Sequence, residues 1–233
     1  MSESARSIVA IDGPAGAGKS TVAKLLAKRM GWRFLDTGAF YRAVTLKALR
    51  AGVDPADAAA MGRAAHDARI EMRDDAGVQK VFLDGEDVTR AIRGDDVAKA
   101  VPVVAALPEV RKAVVPRQRE FAAAGRVVAE GRDMGTVVFP DAGVKFYLDA
   151  DASVRAARRA AESGDADVRR VEADQRERDR QDSTRSHSPL VRADDALYVD
   201  STGLAVEAVV ELMLRRVREA GPAQAAPDDP IRR

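Results

Sequence analysis

The chain has 233 residues, enough for one large domain with inserted segments. Its 38 Lys and Arg residues almost balance its 37 Asp and Glu residues, and this net charge of +1 argues against recruitment by nucleic acid or by a membrane surface. There is no cysteine, which excludes disulfides and thiolate metal sites and suits a cytoplasmic location, and no apolar run approaches membrane-spanning length.

The first motif is a glycine-rich loop between a strand and a helix. An apolar run over 8–12 is typical of a buried strand, and helical spacing of apolar residues starts at Thr21. The loop between them fits G-x-x-x-x-G-K-[ST], in which backbone N–H groups wrap nucleotide phosphates, the lysine reaches the β- and γ-phosphates and the serine binds Mg²⁺. The alternative is a glycine turn that precedes a helix by chance. We expect a nucleoside triphosphate site, with Ser20 as the metal ligand, formed by Gly13, Pro14, Ala15, Gly16, Ala17, Gly18, Lys19, Ser20 and Thr21.

A second strand, 32–36, and a second helix, 39–50, come next. Thr37 follows the strand, and Arg42 lies about one helical turn further along the chain. A hydroxyl and a guanidinium so placed could converge on one anion. The alternative is that Thr37 caps the helix and Arg42 faces solvent.

Residues 53–68 are predicted as a weak surface helix together with its connection, and the pattern then changes. Strand-like runs at 70–73 and 78–83, followed by a turn at Asp84-Gly85, predict a small antiparallel sheet. This sheet interrupts the alternation of strands and helices. It either encloses a second substrate or is a surface decoration.

The alternating pattern then resumes. Arg132 and Asp133 come directly after a predicted strand, where open α/β sheets bind ligands, so they are site candidates unless they only form a salt bridge that closes the loop. We expect helices at 95–106, 109–124 and 204–219, strands at 127–130, 144–148 and 196–199, and a disordered tail at 221–233.

The segment Arg155–Arg185 contains nine arginines, eight acidic residues and no lysine. Such mixed charge is common on a solvated helix with i,i+4 ion pairs. The guanidinium fork, however, suits phosphate oxygens, and the segment lies between the last two strands. We therefore favour two helices, joined near Ser163–Asp165, that form a mobile lid.

Several motifs in this order resemble those of the bacterial cytidylate kinases, within the nucleoside monophosphate kinases. The resemblance extends from Ile8 to about Val217. The motifs are Ile11–Pro14 leading into the phosphate loop, Leu35–Arg42, Gly85–Thr89 with Ile92-Arg93, Gly131–Pro140, and Glu177–Asp179 with Asp182–Arg185 and Ser188–Leu190.

The resemblance implies transfer of a phosphoryl group from ATP to CMP or dCMP with Mg²⁺. Nothing in the sequence suggests an obligate dimer, so we expect a monomer. It implies an α/β, three-layer P-loop NTPase fold with a five-stranded parallel sheet, an inserted antiparallel sheet for CMP (70–110) and a helical arginine-rich lid (155–185). The core would be 7–69, 111–154 and 186–220. The implied CMP-binding residues are Thr37, Tyr41, Arg42, Arg111, Arg132, Asp133, Arg178, Asp182 and Arg185. Arg155 and Arg159 would lie near the ATP phosphates, and the implied catalytic residues are Lys19, Arg132, Arg159 and Arg185.

One departure from the family pattern concerns the base. Pro102 occupies a position at which some relatives carry a serine that contacts cytosine. Three other functions would require different features of the sequence. Another small-molecule kinase should lack the Gly131–Pro140 motif, and a GTPase would need an N-K-x-D element, which we do not find. A nucleic-acid-dependent ATPase would need a basic face.

Overall fold

A computed structural model of the chain describes residues 7–75, 78–163 and 167–221. The strands are β1 (Ile8–Asp12), β2 (Arg33–Asp36), β3 (Ile70–Asp75), β4 (Val78–Leu83), β5 (Glu86–Asp87), β6 (Val127–Glu130), β7 (Val144–Asp149) and β8 (Leu197–Asp200). The α-helices are α1 (Lys19–Met30), α2 (Gly38–Arg50), α3 (Ala58–Asp67), α4 (Asp95–Ala106), α5 (Pro108–Ala122), α6 (Ala152–Ser163), α7 (Val168–Thr184) and α8 (Val206–Glu219). A short 3-10 helix spans Ala91–Arg93 and a π-helix spans Met134–Val138.

The main sheet has five parallel strands in the order β2-β6-β1-β7-β8, as the sequence predicts for the fold class. β1 lies at its centre and is completely buried, which explains its uninterrupted apolar sequence. Its register pairs Ala10 with Ala129 on one side and with Lys145 on the other. All five strands therefore end at the same edge of the sheet.

Helices cover both faces of this sheet, giving three layers. On one face, Val22 and Leu26 of α1 and Met213 of α8 pack with alternate residues of the central strands. On the other face, α2, α3 and α5 pack around Leu35 and Met61. Met61 is fully buried, so α3 is less of a surface helix than its composition predicts.

The second sheet is antiparallel, has the order β3-β4-β5, and confirms the predicted insertion. Its link to the main sheet is the side chain of Gln79. The Gln79 amide donates to Phe34 O at 2.6 Å and accepts from Asp36 N at 3.1 Å. Since β2 is an edge strand, this one side chain satisfies backbone groups that a further strand would otherwise pair with.

The arginine-rich segment forms the two expected helices, α6 and α7, which pack against each other. The predicted junction at 164–165 and the predicted disordered tail beyond Gly221 lie outside the described residues. The π-helix over Met134–Val138 was not predicted, and element ends differ from the predictions by up to two residues. No helix in the described ranges has both the length and the hydropathy that crossing a bilayer needs.

Candidate active site

The carboxyl ends of three neighbouring strands bring acidic residues together. In the register of the main sheet Asp36 lies beside Glu130, and Ile11, the residue before Asp12, also pairs with Glu130. All three carboxylate residues are buried. Buried carboxylates require hydrogen bonds or cationic partners, so the cations and amides around them define the site.

The phosphate loop leaves β1 at this edge and enters α1. Gly13 adopts φ 147°, and a Cβ atom there would lie 1.9 Å from Leu148 O on β7. Only glycine therefore allows the loop to cross so close to the neighbouring strand. The N–H groups that follow lead into the N-terminus of α1, as an anion-binding loop requires.

Lys19 is the first residue of α1 and is 5% exposed. Its Nζ donates to Pro14 O at 2.6 Å, which folds the side chain back over the loop. Burial, with a further contribution from the nearby Arg132, lowers the pKa of Lys19 to about 7. The ammonium is thus poorly compensated by protein groups, and an anionic ligand in the loop would stabilise its charge.

Ser20 donates a hydrogen bond from Oγ to Glu130 Oε1 at 2.6 Å. Sequence analysis placed Glu130 at a strand end but did not identify it as a site residue. The available signal was an acidic residue ending the strand beside β1. A hydroxyl and a carboxylate are hard oxygen ligands, so this pair fits Mg²⁺. In the described ranges, no three His, Asp or Glu residues converge as a metal site by themselves.

Asp12 is a second residue that sequence analysis did not assign to the site. Its carboxylate accepts hydrogen bonds from Met134 N at 2.8 Å and Gly135 N at 2.7 Å. Burial raises the pKa of Asp12 to about 6, although these amides oppose the shift. Asp12 thereby ties the loop that carries Arg132 and Asp133 to the start of the phosphate loop.

Thr37 occupies the N-cap position of α2, but the alternative in which its side chain caps the helix is wrong, and so is the alternative of a solvent-facing Arg42. The Thr37 hydroxyl donates to Glu130 O at 2.6 Å and makes no capping bond. Asp36 instead accepts from Ala39 N at 3.1 Å and caps the helix. Arg42 Nη2 donates to Asp36 Oδ2 at 2.5 Å. The side chain of Arg42 is mostly buried.

Asp36 also faces Arg93, which comes from the inserted segment. Arg93 Nη2 lies 3.4 Å from Asp36 Oδ2, the oxygen that binds Arg42. Burial would raise the pKa of Asp36, but the two guanidinium groups hold it below its usual value. One carboxylate therefore aligns an arginine of the core with one of the insertion.

Arg132 and Asp133 do not pair with each other to close their loop, so that alternative is also wrong. Arg132 Nε donates to Asp182 Oδ2 at 2.9 Å, across to α7. Burial alone would lower the pKa of Arg132, but the carboxylates of Asp182 and Glu130 raise it. Asp133 accepts from Arg111 Nη2, and both side chains are almost fully buried.

Two further arginines lack close carboxylate partners, and Arg178 also has more cationic than anionic neighbours. Arg178 Nε is buried and has no hydrogen-bond partner among the described residues. Burial and the nearby Arg132 lower the pKa of Arg178 to about 10. Arg185 Nε donates to Ser188 O, while its nearest carboxylate atoms, on Asp133 and Asp182, are both 3.9 Å away. Buried guanidinium groups with this little compensation suit an anionic ligand.

Arg155 and Arg159 occupy different surroundings. Arg155 is buried at the base of α6 and donates to Ala15 O at 2.9 Å and Ala150 O at 3.0 Å. Arg159 is half-exposed, and its Nη1 lies 3.6 Å from Glu162 Oε2. The exposed Arg176 and Arg180 of α7 pair with glutamates along the helix, as on a solvated face.

Tyr41 lies behind the Arg111–Asp133 pair. The Arg111 guanidinium carbon is 5.6 Å from the centre of the Tyr41 ring. Burial raises the pKa of the Tyr41 phenol to about 12. Contacts among themselves or with the buried Asp36 and Glu130 thus connect nine candidate residues: Thr37, Tyr41, Arg42, Arg111, Arg132, Asp133, Arg178, Asp182 and Arg185. His66 and His187 are exposed.

Comparison with known proteins gives one family. The family model described as cytidylate kinase matches residues 9–219. A cytidylate kinase from Pelotomaculum thermopropionicum is 50% identical over 214 residues, covering 90% of this chain and 95% of that protein. A cytidylate kinase from Rhodococcus opacus is 50% identical over 218 residues, covering 91% and 95%. Among solved structures, shikimate kinase from Acinetobacter baumannii aligns with TM-score 0.47 and 16% identity over 92% of this chain and 94% of that one.

Proposed function

The chain belongs to the cytidylate kinase family, and from this membership we propose that it transfers the γ-phosphoryl group of ATP to CMP or dCMP, giving ADP and CDP or dCDP. The observation that carries the proposal is the meeting of two anion sites at one sheet edge. Lys19 and the phosphate loop form one of them, and Arg132, Arg178 and Arg185 form the other. Arg132 is paired with Asp182, but the buried Nε of Arg178 has no hydrogen-bond partner among the described residues and Arg185 lies 3.9 Å from its nearest carboxylate atoms.

ATP binds with its phosphates in the loop of residues 13–21. Lys19 holds the β- and γ-phosphates, and the triphosphate supplies the negative charge that its surroundings lack. Arg159, at the exposed side of α6, reaches the transferring group when the lid closes. Arg155 supports this side indirectly, because its guanidinium is already bound to Ala15 O and Ala150 O.

Ser20 would hold Mg²⁺, and Glu130 accepts from the Ser20 hydroxyl and orients it. The ion supplies charge neutralisation on the β- and γ-phosphates when it is bound. Few protein ligands are needed, since Mg²⁺ in kinases retains water and binds substrate phosphates.

CMP binds on the other side of the edge. Thr37, Arg42, Arg132 and Arg185 hold its phosphate, while Arg178 and Asp182 hold the sugar hydroxyls. The Arg111–Asp133 pair presents a donor and an acceptor to the cytosine edge, backed by Tyr41. UMP has a carbonyl oxygen where CMP has the cytosine amino group. This oxygen and the Asp133 carboxylate are both hydrogen-bond acceptors, so UMP is a poor substrate.

The transfer needs positioning and charge neutralisation but no protein base. A phosphate oxygen of CMP attacks the γ-phosphorus, the bond to the β,γ-bridging oxygen breaks, and ADP leaves with that electron pair. The attacking phosphate is ionised at neutral pH, so no proton has to be removed from it. The arginines of both sites stabilise the charge on the transferring oxygens.

We also propose the division of the chain into a core, a CMP-binding insertion at 70–110 and a lid at 155–185. Closure of the lid excludes water that would otherwise receive the phosphoryl group. We propose a monomer, and light scattering coupled to size-exclusion chromatography tests this. Since ATP and CMP are cytoplasmic metabolites, we place the enzyme in the cytoplasm.

The proposed function is tested by a coupled ADP-release assay with AMP, GMP, UMP, CMP and dCMP as acceptors. We expect kcat/KM for the cytosine nucleotides to exceed that for the others by about 100-fold or more, as expected where a site hydrogen-bonds its substrate. A preference for a purine nucleotide, or ADP release that does not depend on any acceptor, would refute the proposal.

A further inference from the structure

Asp179 of α7 reaches the phosphate loop from the lid. Its Oδ1 accepts a hydrogen bond from Ala15 N at 3.0 Å, and its Oδ2 accepts from Arg155 Nη1 at 2.5 Å. The same Nη1 donates to Ala15 O at 2.9 Å. The lid therefore binds Ala15 at both its N–H and its C=O. The Asp179 carboxylate accepts from the N–H, the Arg155 guanidinium donates to the C=O, and the two side chains pair with each other.

This contact is extended by Gln175, one helical turn before Asp179. A Cβ atom on Gly16 would lie 2.5 Å from Gln175 Nε2, so α7 packs directly against the loop backbone. Gln175 Nε2 also donates to Arg155 O at 3.4 Å. Gln175 is buried and the Asp179 side chain is mostly buried. Breaking one of these charge-assisted bonds would leave a desolvated polar or charged group without its partner, which costs free energy. This cost favours one fixed position of α7 on the loop.

Residues of α7 on both sides of Asp179 in the chain lie at the proposed CMP site. Asp182, three residues after Asp179, accepts from Arg132 Nε at 2.9 Å, and Arg178 points its buried Nε into the same arginine cluster. Within five residues the helix thus contacts the phosphate loop and presents two side chains to the proposed CMP site. A rigid helix with contacts at both sites is the kind of element through which two ligands can influence each other.

We propose that Asp179 is a positioning residue that couples the two substrate sites. With Asp179 bound to Ala15, α7 is held where Arg178 and Asp182 meet CMP. ATP favours this arrangement because its phosphates order the loop to which Asp179 is bound, and CMP then binds more tightly. By linkage, CMP strengthens ATP binding by the same factor. The proposal rests on the proposed function, since it presumes that both nucleotides bind.

The test measures CMP affinity by calorimetry, with and without a non-hydrolysable ATP analogue and Mg²⁺. In the unaltered protein we expect the analogue to tighten CMP binding by about 5- to 100-fold. In Asp179→Asn the enhancement should be lost, so that CMP affinity with the analogue matches CMP affinity without it. Asp179→Glu keeps the charge but moves it by one methylene, so it should lose the enhancement too.

Asp174→Asn is the matched control, because it makes the same chemical change on an exposed face of α7. It should retain the full enhancement. If Asp179→Asn and Asp179→Glu retain the enhancement, or weaken CMP binding equally with and without the analogue, the coupling role is refuted. If the unaltered protein phosphorylates CMP without any enhancement, only this inference fails. If it does not bind CMP, the proposed function fails.

Discussion

The hydroxyl of Ser20 lies 2.6 Å from Glu130 Oε1, although the two residues are 110 positions apart in the chain. The contact forms because β1 and β6 are parallel neighbours whose carboxyl ends coincide. It joins the phosphate loop to the strand that leads into Arg132 and Asp133, and so connects the proposed metal ligand with the proposed CMP site.

Replacing either member of this pair should change the dependence on Mg²⁺. For Ser20→Ala and Glu130→Gln we expect the Mg²⁺ concentration for half-maximal rate to rise by about 10- to 100-fold. The measurement is initial rate against free Mg²⁺ at saturating nucleotides. An unchanged Mg²⁺ profile in both variants would contradict the assignment. Ser183→Ala, at an exposed serine of α7, serves as the control.

Arg185→Ala should reduce kcat by about 10²- to 10³-fold, the range found when one preorganised donor to a developing charge is removed. Stability should change little, because the guanidinium lies 3.9 Å from its nearest carboxylate atoms and is not tightly paired. Turnover and urea unfolding are measured on the same preparation. Equal losses of activity and stability would indicate a structural arginine instead.

Pro102 lies inside α4 and cannot donate a hydrogen bond to the carbonyl one turn earlier. Pro102→Ala and Pro102→Ser should both raise the free energy of unfolding, by up to about 3 kcal/mol. Pro102→Ser alone should also lower KM for CMP, since it adds the hydroxyl that some relatives carry. Matching KM values in the two variants would show that the hydroxyl does not reach the base.

Gln79→Ala should raise KM for CMP several-fold while leaving KM for ATP unchanged. The variant loses two hydrogen bonds to β2, worth about 1 kcal/mol each, and frees the strand end at which Asp36 holds Arg42. Glu71→Gln, an exposed change on the same small sheet, is the control. A parallel rise of both KM values would mean that the insertion does not act through the CMP side.

Lys19→Met should abolish turnover and change how stability depends on pH. The folded-state pKa of Lys19 is about 7, below its usual 10.5, so the unfolded chain binds more protons between these values. Burial of the charged lysine therefore lowers the free energy of unfolding in full below pH 7, and this effect disappears as the pH rises toward 10.5. Urea unfolding should show that Lys19→Met raises the free energy of unfolding, relative to the unaltered protein, by more at pH 6 than at pH 9. A difference that is independent of pH would contradict the lowered pKa.

Much of the architecture could be read from local patterns. The apolar run of β1 and the glycine loop before α1 identify a phosphate-binding unit without any tertiary information, because strand burial and loop conformation depend on neighbouring residues. The same holds for the hairpin of the small sheet, whose turn chemistry is local. The π-helix at Met134–Val138 was missed because its stability comes from a remote residue, Asp12.

The amino-acid sequence by itself determined the order of strands and helices, the phosphate loop and the family motifs. Only the tertiary structure decided which charged groups are partners: Arg132 pairs with Asp182 and not with its neighbour Asp133, and Arg155 binds the loop backbone together with Asp179. The physical reason is that an ion pair depends on distance in space. Here that distance is set by strand register and helix packing between segments far apart in the chain, which no local pattern encodes.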